Sequence, residues 1–170
     1  PLGATLTTER VYAAFLGDPW QGRTFYHGHT YTGNALACAA GLASLKLFED
    51  RHVLQNAALA ATVIRQRLAG LQQHPQVAEV RQRGLMVGIE LVLERDSLTP
   101  FPVEFRIGHH VTLAARRRGL ILRPLGDVIV LMPAPGMTPE LIGEICDKAI
   151  ECIEEVVQNA LRRLASGSPL

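Results

Sequence analysis

The sequence predicts a chain in two parts: residues 1–73 close an α/β unit, and residues 74–170 build an α+β domain. Three observations predict this division. Apolar residues recur at helical spacing from Leu36 to Leu68. His74 and Pro75 then break that pattern, because a proline pushes the residue before it out of helical geometry. Beyond the break, apolar residues alternate before returning to helical spacing near the end. With 48% hydrophobic and 19% charged residues over 170 positions, the chain can bury a core and is not expected to be disordered.

Taken in order, residues 3–8 read as a short strand and 9–16 as a short helix. Residues 17–33, "GDPWQGRTFYHGHTYTG", form a long loop, and loops of this length inside compact domains are usually functional or covered by a partner. Asn34 is an N-cap for the helix that follows. That helix, 35–48, is dominated by small residues (Ala35, Ala37, Ala39, Ala40, Gly41, Ala43, Ser44), so another element can approach it closely. It is expected to be covered by further protein, since its apolar face would otherwise lie open. A second helix, 51–71, carries the stripe Leu54, Ala58, Ala61, Ile64, Leu68. After the break, Leu85, Val87, Ile89, Leu91 and Leu93 would share one face of a strand. Residues 103–118 predict a helix, with Gly119 as its stop. In "LILRPLGDVIVLMP", two apolar runs flank Gly126-Asp127, a pair suited to a hairpin turn. Thr138 caps and Pro139 opens the last helix, which buries Ile142, Ile145, Ala149, Ile153, Val156, Ala160 and Leu164.

A formal net charge of +1 gives no footprint for nucleic acid or an anionic membrane. No apolar run is long enough to span a bilayer, and no signal-peptide pattern opens the chain. Cys38, Cys146 and Cys152 form no paired framework and read as free, packed thiols in a reducing cytoplasm. The chain opens on Pro1 in what reads as a strand caught partway, so a piece of something longer is expected.

Candidate chemistry gathers ahead of Asn34. A helix N-terminus offers free N–H groups and the positive end of its dipole. With Thr30, Tyr31, Thr32 and Gly33 before it, this one makes an anion cradle suited to phosphate. The plainer reading is an ordinary capped helix after a polar turn. His27 and His29 form an H-x-H pair, but His52, His74, His109 and His110 are scattered, so hydrogen bonding to the loop is preferred over a metal site. Arg123, between apolar neighbours on a strand, is either a fork for a ligand carboxylate or an arginine turned to solvent. Arg116, Arg117 and Arg118 would complement the C-terminal dipole of their helix. Glu90 and Glu94 need no catalytic role, and no nucleophile-base arrangement is persuasive.

The stretch "YHGHTYTGNALACAA" resembles a segment of the class III, pyridoxal-phosphate-dependent aminotransferases that runs H-G-x-T-x-x-G-N-P-L-A-C-A-A. Its "HGHTYTGN" wording is most similar to the adenosylmethionine-8-amino-7-oxononanoate aminotransferases (diaminopelargonic acid synthases) of biotin biosynthesis. "PLGATLTTERVYAAF", "RQRGLMVGIELV" and "GLILRPLGDVIVLMPAPGMTPEL" resemble three further segments of that family. The resemblance implies the C-terminal portion of a fold-type I transferase: the end of the large domain over 1–73 and the small domain over 74–170. It implies pyridoxal 5'-phosphate as cofactor and a homodimer with active sites at the interface. Thr30 would contact the cofactor phosphate in the partner's site, with His29 beside it through backbone. Gly28 would lie near the substrate, and Arg123 would bind the carboxylate of the keto acid.

Two departures are local: His29 stands where many members have proline, and Ala35 replaces the proline of G-N-P-L. A larger one concerns the family's cofactor-holding lysine, which would precede Pro1. The only lysines, Lys46 and Lys148, match neither its position nor its surroundings. The family's aspartate for the pyridine nitrogen and its main phosphate loop have no counterpart either. These 170 residues alone are therefore expected not to transaminate. The complete enzyme would aminate 8-amino-7-oxononanoate, with S-adenosylmethionine or lysine as donor. The alternatives are another class III ω-amino acid aminotransferase, a non-catalytic binding or oligomerisation module, and a split enzyme whose other half is a separate chain.

Overall fold

The computed structural model describes residues 2–166. It divides into two compact units, Pro1–Arg51 and His52–Leu170. The division falls ahead of the 51–71 helix, which the sequence grouping joined to the first part. That helix packs against the last helix of the second unit, and this packing sets the division.

In the first unit, residues 3–8 carry no strand, because no described segment pairs with them. Thr8 is extended (φ −85°, ψ 156°) and leads into α1, Glu9–Ala13, shorter than the sequence suggests. A 3₁₀ turn, Pro19–Gln21, interrupts the long loop, its start closed by reciprocal bonds between Asp18 and Gln21. α2 then spans Ala35–Asp50. The Asn34 side chain accepts from the Ala37 N–H at 2.9 Å, so the predicted N-cap forms. None of the described residues in this unit is buried, and Leu36, Leu42 and Leu45 of α2 are 82%, 69% and 66% exposed.

The second unit is an antiparallel sheet with helices over one face. α3 (Val53–Leu68) leads through a 3₁₀ turn, Ala69–Gln73, into β1 (Val77–Arg83) and β2 (Met86–Leu91). α4 (Ile107–Arg117) precedes the hairpin β3 (Arg123–Leu125) and β4 (Val128–Leu131), and α5 (Pro139–Ser166) closes the order. The strands lie in the order β1-β2-β4-β3. β1 is not foreseen by the sequence reading: "VAEVRQR" carries only three apolar residues, and its pairing with β2 is tertiary. On β2, Val87, Ile89 and Leu91 point inward as predicted, at 1%, 0% and 2% exposure, while Leu85 and Leu93 are half-buried. Ile129 and Leu131 of β4 continue that face. Against it lie Ile64, Val111, Ile142 and Ile153 from α3, α4 and α5, each side chain worth about 1.5–3 kcal/mol on burial.

The helix start and stop signals act as read, but the predicted 103–118 helix begins only at Ile107, after a 3₁₀ turn, and Leu54 and Ala58 of the predicted 51–71 stripe are exposed. Gly119 has φ +74° just past α4, where only glycine is free of strain. The Leu141 N–H donates to the Thr138 hydroxyl at 3.3 Å, ahead of α5. Arg117 and Arg118 do more than face a helix dipole: both reach Glu155 on α5, at 3.0 and 2.6 Å, and tie the two helices. Cys146 and Cys152 are buried, and Cys38 is partly so. Burial, helped by Asp147, pushes the Cys146 thiol up to about 11, so it packs and does not react.

Candidate functional site

In the first unit, Gly28, His29 and Thr30 sit together on the loop ahead of α2, and all three are exposed. The loop is held by its own bonds. The Thr32 N–H donates to the His29 carbonyl at 3.0 Å, and the His29 N–H donates to the Thr32 hydroxyl at 3.2 Å. The Asn34 N–H donates to the Tyr31 carbonyl at 3.1 Å, across Gly33 at φ +69°. These bonds spend Thr32 and Asn34 on the loop itself. They leave the Thr30 hydroxyl and the N–H groups of Thr30, Tyr31 and Gly33 without a partner among the described residues.

The electrostatics favour an anion there. No carboxylate occurs between Asp18 and Glu49, and α2 directs the positive end of its dipole at this loop. Free donors, a helix N-terminus and the lack of competing acids fit a phosphate group. An ordinary capped helix is also present, so the cap and the donor edge coexist. The Gly28 backbone has open space where a Cβ would stand.

The histidine rings differ from the expectation. Neither hydrogen-bonds the loop. His27 stacks on Phe25 (5.4 Å between centroids, 3° between planes), and His29 meets His27 edge-on at 5.8 Å. Phe15 caps this series on Phe25 at 5.2 Å. Residues 25, 27 and 29 alternate along the chain, and that spacing is the signal that could have revealed the stack. The rings pack on one another and leave the Thr30 donors free. No group of three or more potential metal ligands occurs among the described residues.

Arg123 lies in the second unit, first in β3, with its side chain on the sheet face away from the helices. Register places Arg81, Gly88, Val130 and Arg123 in one row across all four strands. The two arginines of this row differ. Arg81 lies over Gly88 and bonds Glu90 at 2.6 Å and Glu79 at 3.2 Å; the Glu90 bond, ahead of Glu79, holds its guanidinium above the usual range. Arg123 is exposed and has no ion pair or side-chain hydrogen bond among the described residues. Both readings of Arg123 from sequence therefore survive: it faces solvent, and its fork is free. It lines an open, mostly apolar recess of about 610 Å³ together with Ile121, Leu122, Met132 and Met137. A free guanidinium at an apolar recess suits a ligand with a carboxylate and an aliphatic chain.

The profile of the family described as aminotransferase class-III matches residues 1–153. An adenosylmethionine-8-amino-7-oxononanoate aminotransferase of Nitratidesulfovibrio vulgaris is 54% identical over 138 residues, covering 81% of this chain and 26% of that protein. The crystal structure of the enzyme of that name from Methanocaldococcus jannaschii superposes with a TM-score of 0.82 at 39% identity, covering 88% of this chain and 34% of that one. An omega transaminase from Pseudomonas jessenii in complex with PMP gives 0.76 at 28% identity, covering 81% and 30%. The chain thus spans about a quarter to a third of the length of these relatives.

Proposed function

Because the chain belongs to the class-III aminotransferases, a pyridoxal-phosphate-dependent family, we propose that it is the C-terminal part of one that aminates 8-amino-7-oxononanoate to 7,8-diaminononanoate in biotin biosynthesis. The observation that carries this reading is the pairing of likeness and chemistry. Relatives at 54% and 39% identity bear that activity in their names, and Arg123 offers a free fork at the edge of an open apolar recess. A long-chain keto acid needs both. The rival reading, another ω-amino acid aminotransferase, has the weaker likeness.

In this reading residues 1–73 end a large cofactor domain and 74–170 form a small domain, with α3 as the connecting helix that packs on the small domain's α5. The complete enzyme is a homodimer in the cytoplasm; the unpaired thiols agree with a reducing compartment. The Thr30 hydroxyl and neighbouring N–H groups donate to the phosphate of pyridoxal 5'-phosphate in the partner's site, with the α2 dipole adding to their attraction. His29 contributes through its backbone. Gly28, lacking a side chain, lets substrate pass close to the chain. Arg123 binds the keto acid's carboxylate, and the apolar recess takes its methylenes. When bound, the cofactor supplies the carbonyl carbon on which an amino group is accepted from a donor and passed on.

The test joins this chain to a lysine-bearing N-terminal part from the Nitratidesulfovibrio relative. Amino transfer to 8-amino-7-oxononanoate is then assayed with S-adenosylmethionine and with lysine. Transfer from either donor, lost in Thr30→Ala at low cofactor concentration, is the expected result. Transfer only to short semialdehydes would favour the rival. Alone, the chain mixed with pyridoxal phosphate and borohydride is expected to show no label on Lys46 or Lys148. A labelled lysine would defeat the view that the cofactor-holding residue lies elsewhere.

A further inference from the structure

We infer that Asp127 is a positioning residue for Arg123: it clamps the β3–β4 turn to α4 and β2, and so fixes where Arg123 meets a carboxylate. The inference rests on the reading of Arg123 given above. β3 is an edge strand of three residues with one neighbour, β4, so its own ladder holds it weakly. Something else must keep Arg123 in place.

The turn supplies it. Gly126 has φ +60°, and Asp127 follows it at the tip. The Asp127 carbonyl accepts from the Leu91 N–H at 3.0 Å, which ties the tip to the end of β2. Its carboxylate accepts from the Gly108 N–H, also at 3.0 Å, which ties the tip to the start of α4. α4 needs that bond. Its N-cap residue, Arg106, is left-handed (φ 43°), and no side-chain cap bond comes from it. A carboxylate at a helix N-terminus satisfies an orphan donor and meets the positive dipole. The contact is also steric. A Cβ at Gly108 would collide with the Gly126 carbonyl oxygen, so backbone rests on backbone and any larger residue would push the turn away. Asp127 thus joins three elements through two oxygens, four positions along the chain from Arg123.

A merely structural cap would weaken the fold without favouring one substrate, so the test separates the two half-reactions. In the complete enzyme, Asp127→Ala is expected to raise KM for the keto acid about tenfold, as a displaced arginine fork would. The amino-donor half-reaction should stay within about twofold. Asp127→Asn, which keeps an acceptor oxygen, should restore KM. An unchanged KM, or equal losses in both half-reactions, overturns the proposal. Should Asp127→Ala not fold, Asp127→Ser is measured in its place. A second arm measures amide exchange in the complete enzyme: Asp127→Ala should speed exchange from residue 123 to 128 while leaving β1 unchanged, and unchanged exchange in β3 also overturns it. If the wild-type enzyme fails to aminate this keto acid, the functional reading falls, and the exchange arm still decides the clamp.

Discussion

The two units spend similar apolar residues in opposite ways. In His52–Leu170, Ile64, Ile89, Ile129 and Ile153 meet across a sheet-helix interface and are exposed by 1% or less. In Pro1–Arg51, no described residue is buried, although α2 carries Leu36, Leu42, Leu45, Leu47 and Phe48. An amphipathic helix is stable chiefly through what its apolar face packs on. The second unit supplies that surface to itself, and the first has to receive it from outside. The first unit also holds the loop ahead of α2, whose geometry comes from local bonds and ring contacts.

The sharpest way to break this contrast is by thiol labelling. Cys38 is expected to react with a disulfide reagent at least about three orders of magnitude faster than Cys146 and Cys152, whose reaction must await opening of the core. Burial pushes both of the latter thiols up. Equal rates, measured by mass spectrometry of the labelled chain, would mean that the second unit is no more closed than the first. Next in size, Ile153→Ala should cost about 2–5 kcal/mol in urea unfolding. Leu42→Ala, at a side chain 69% exposed, should stay within about 0.5 kcal/mol. A large Leu42 effect would show that α2 is already packed in solution. Asn34→Ala should remove about 1 kcal/mol from α2, read as lost helicity or faster exchange of the Ala37 amide.

The smallest effect tests the tie between α4 and α5. Arg118 first, and Arg117 as well, hold the Glu155 carboxyl below its ordinary value of 4.5. A depressed carboxylate adds stability that is present above 4.5 and is lost as pH falls from there through the native value. Glu155→Gln should therefore lower stability at neutral pH by about 0.5 kcal/mol, a partly exposed ion pair being screened by solvent. It should also flatten the acid limb of a Tm-against-pH curve below 4.5. An unchanged acid limb would assign the tie between these helices to packing alone.

Much of this was legible in the residues, for reasons that differ by element. The Asn34 cap, the Gly119 stop, the Gly126-Asp127 turn and the Thr138-Pro139 start are local devices, each settled within a few positions. The inward face of β2 and the buried stripe of α5 follow from period alone. β1 was not legible, because seven residues with three apolar ones become a strand only when β2 lies beside them. The cap of α4 was hidden for the same reason: its carboxylate arrives from 19 residues away. At the candidate site, the motif singled out Thr30 and Arg123. Only register could tell Arg123 from Arg81, since both are strand arginines and just one finds an acid on the facing strand.

α5 is the final described element, yet nine of its residues are buried, from Ile142 to Ala160. A chain leaving the ribosome would therefore extrude α3, the sheet and α4 before the piece that seals them. Until Ala160 emerges, the nascent sheet keeps its inner face wet. Acquisition of structure in this unit is then a late, nearly single event instead of a gradual one, and truncations inside α5 should yield chaperone-bound or degraded product.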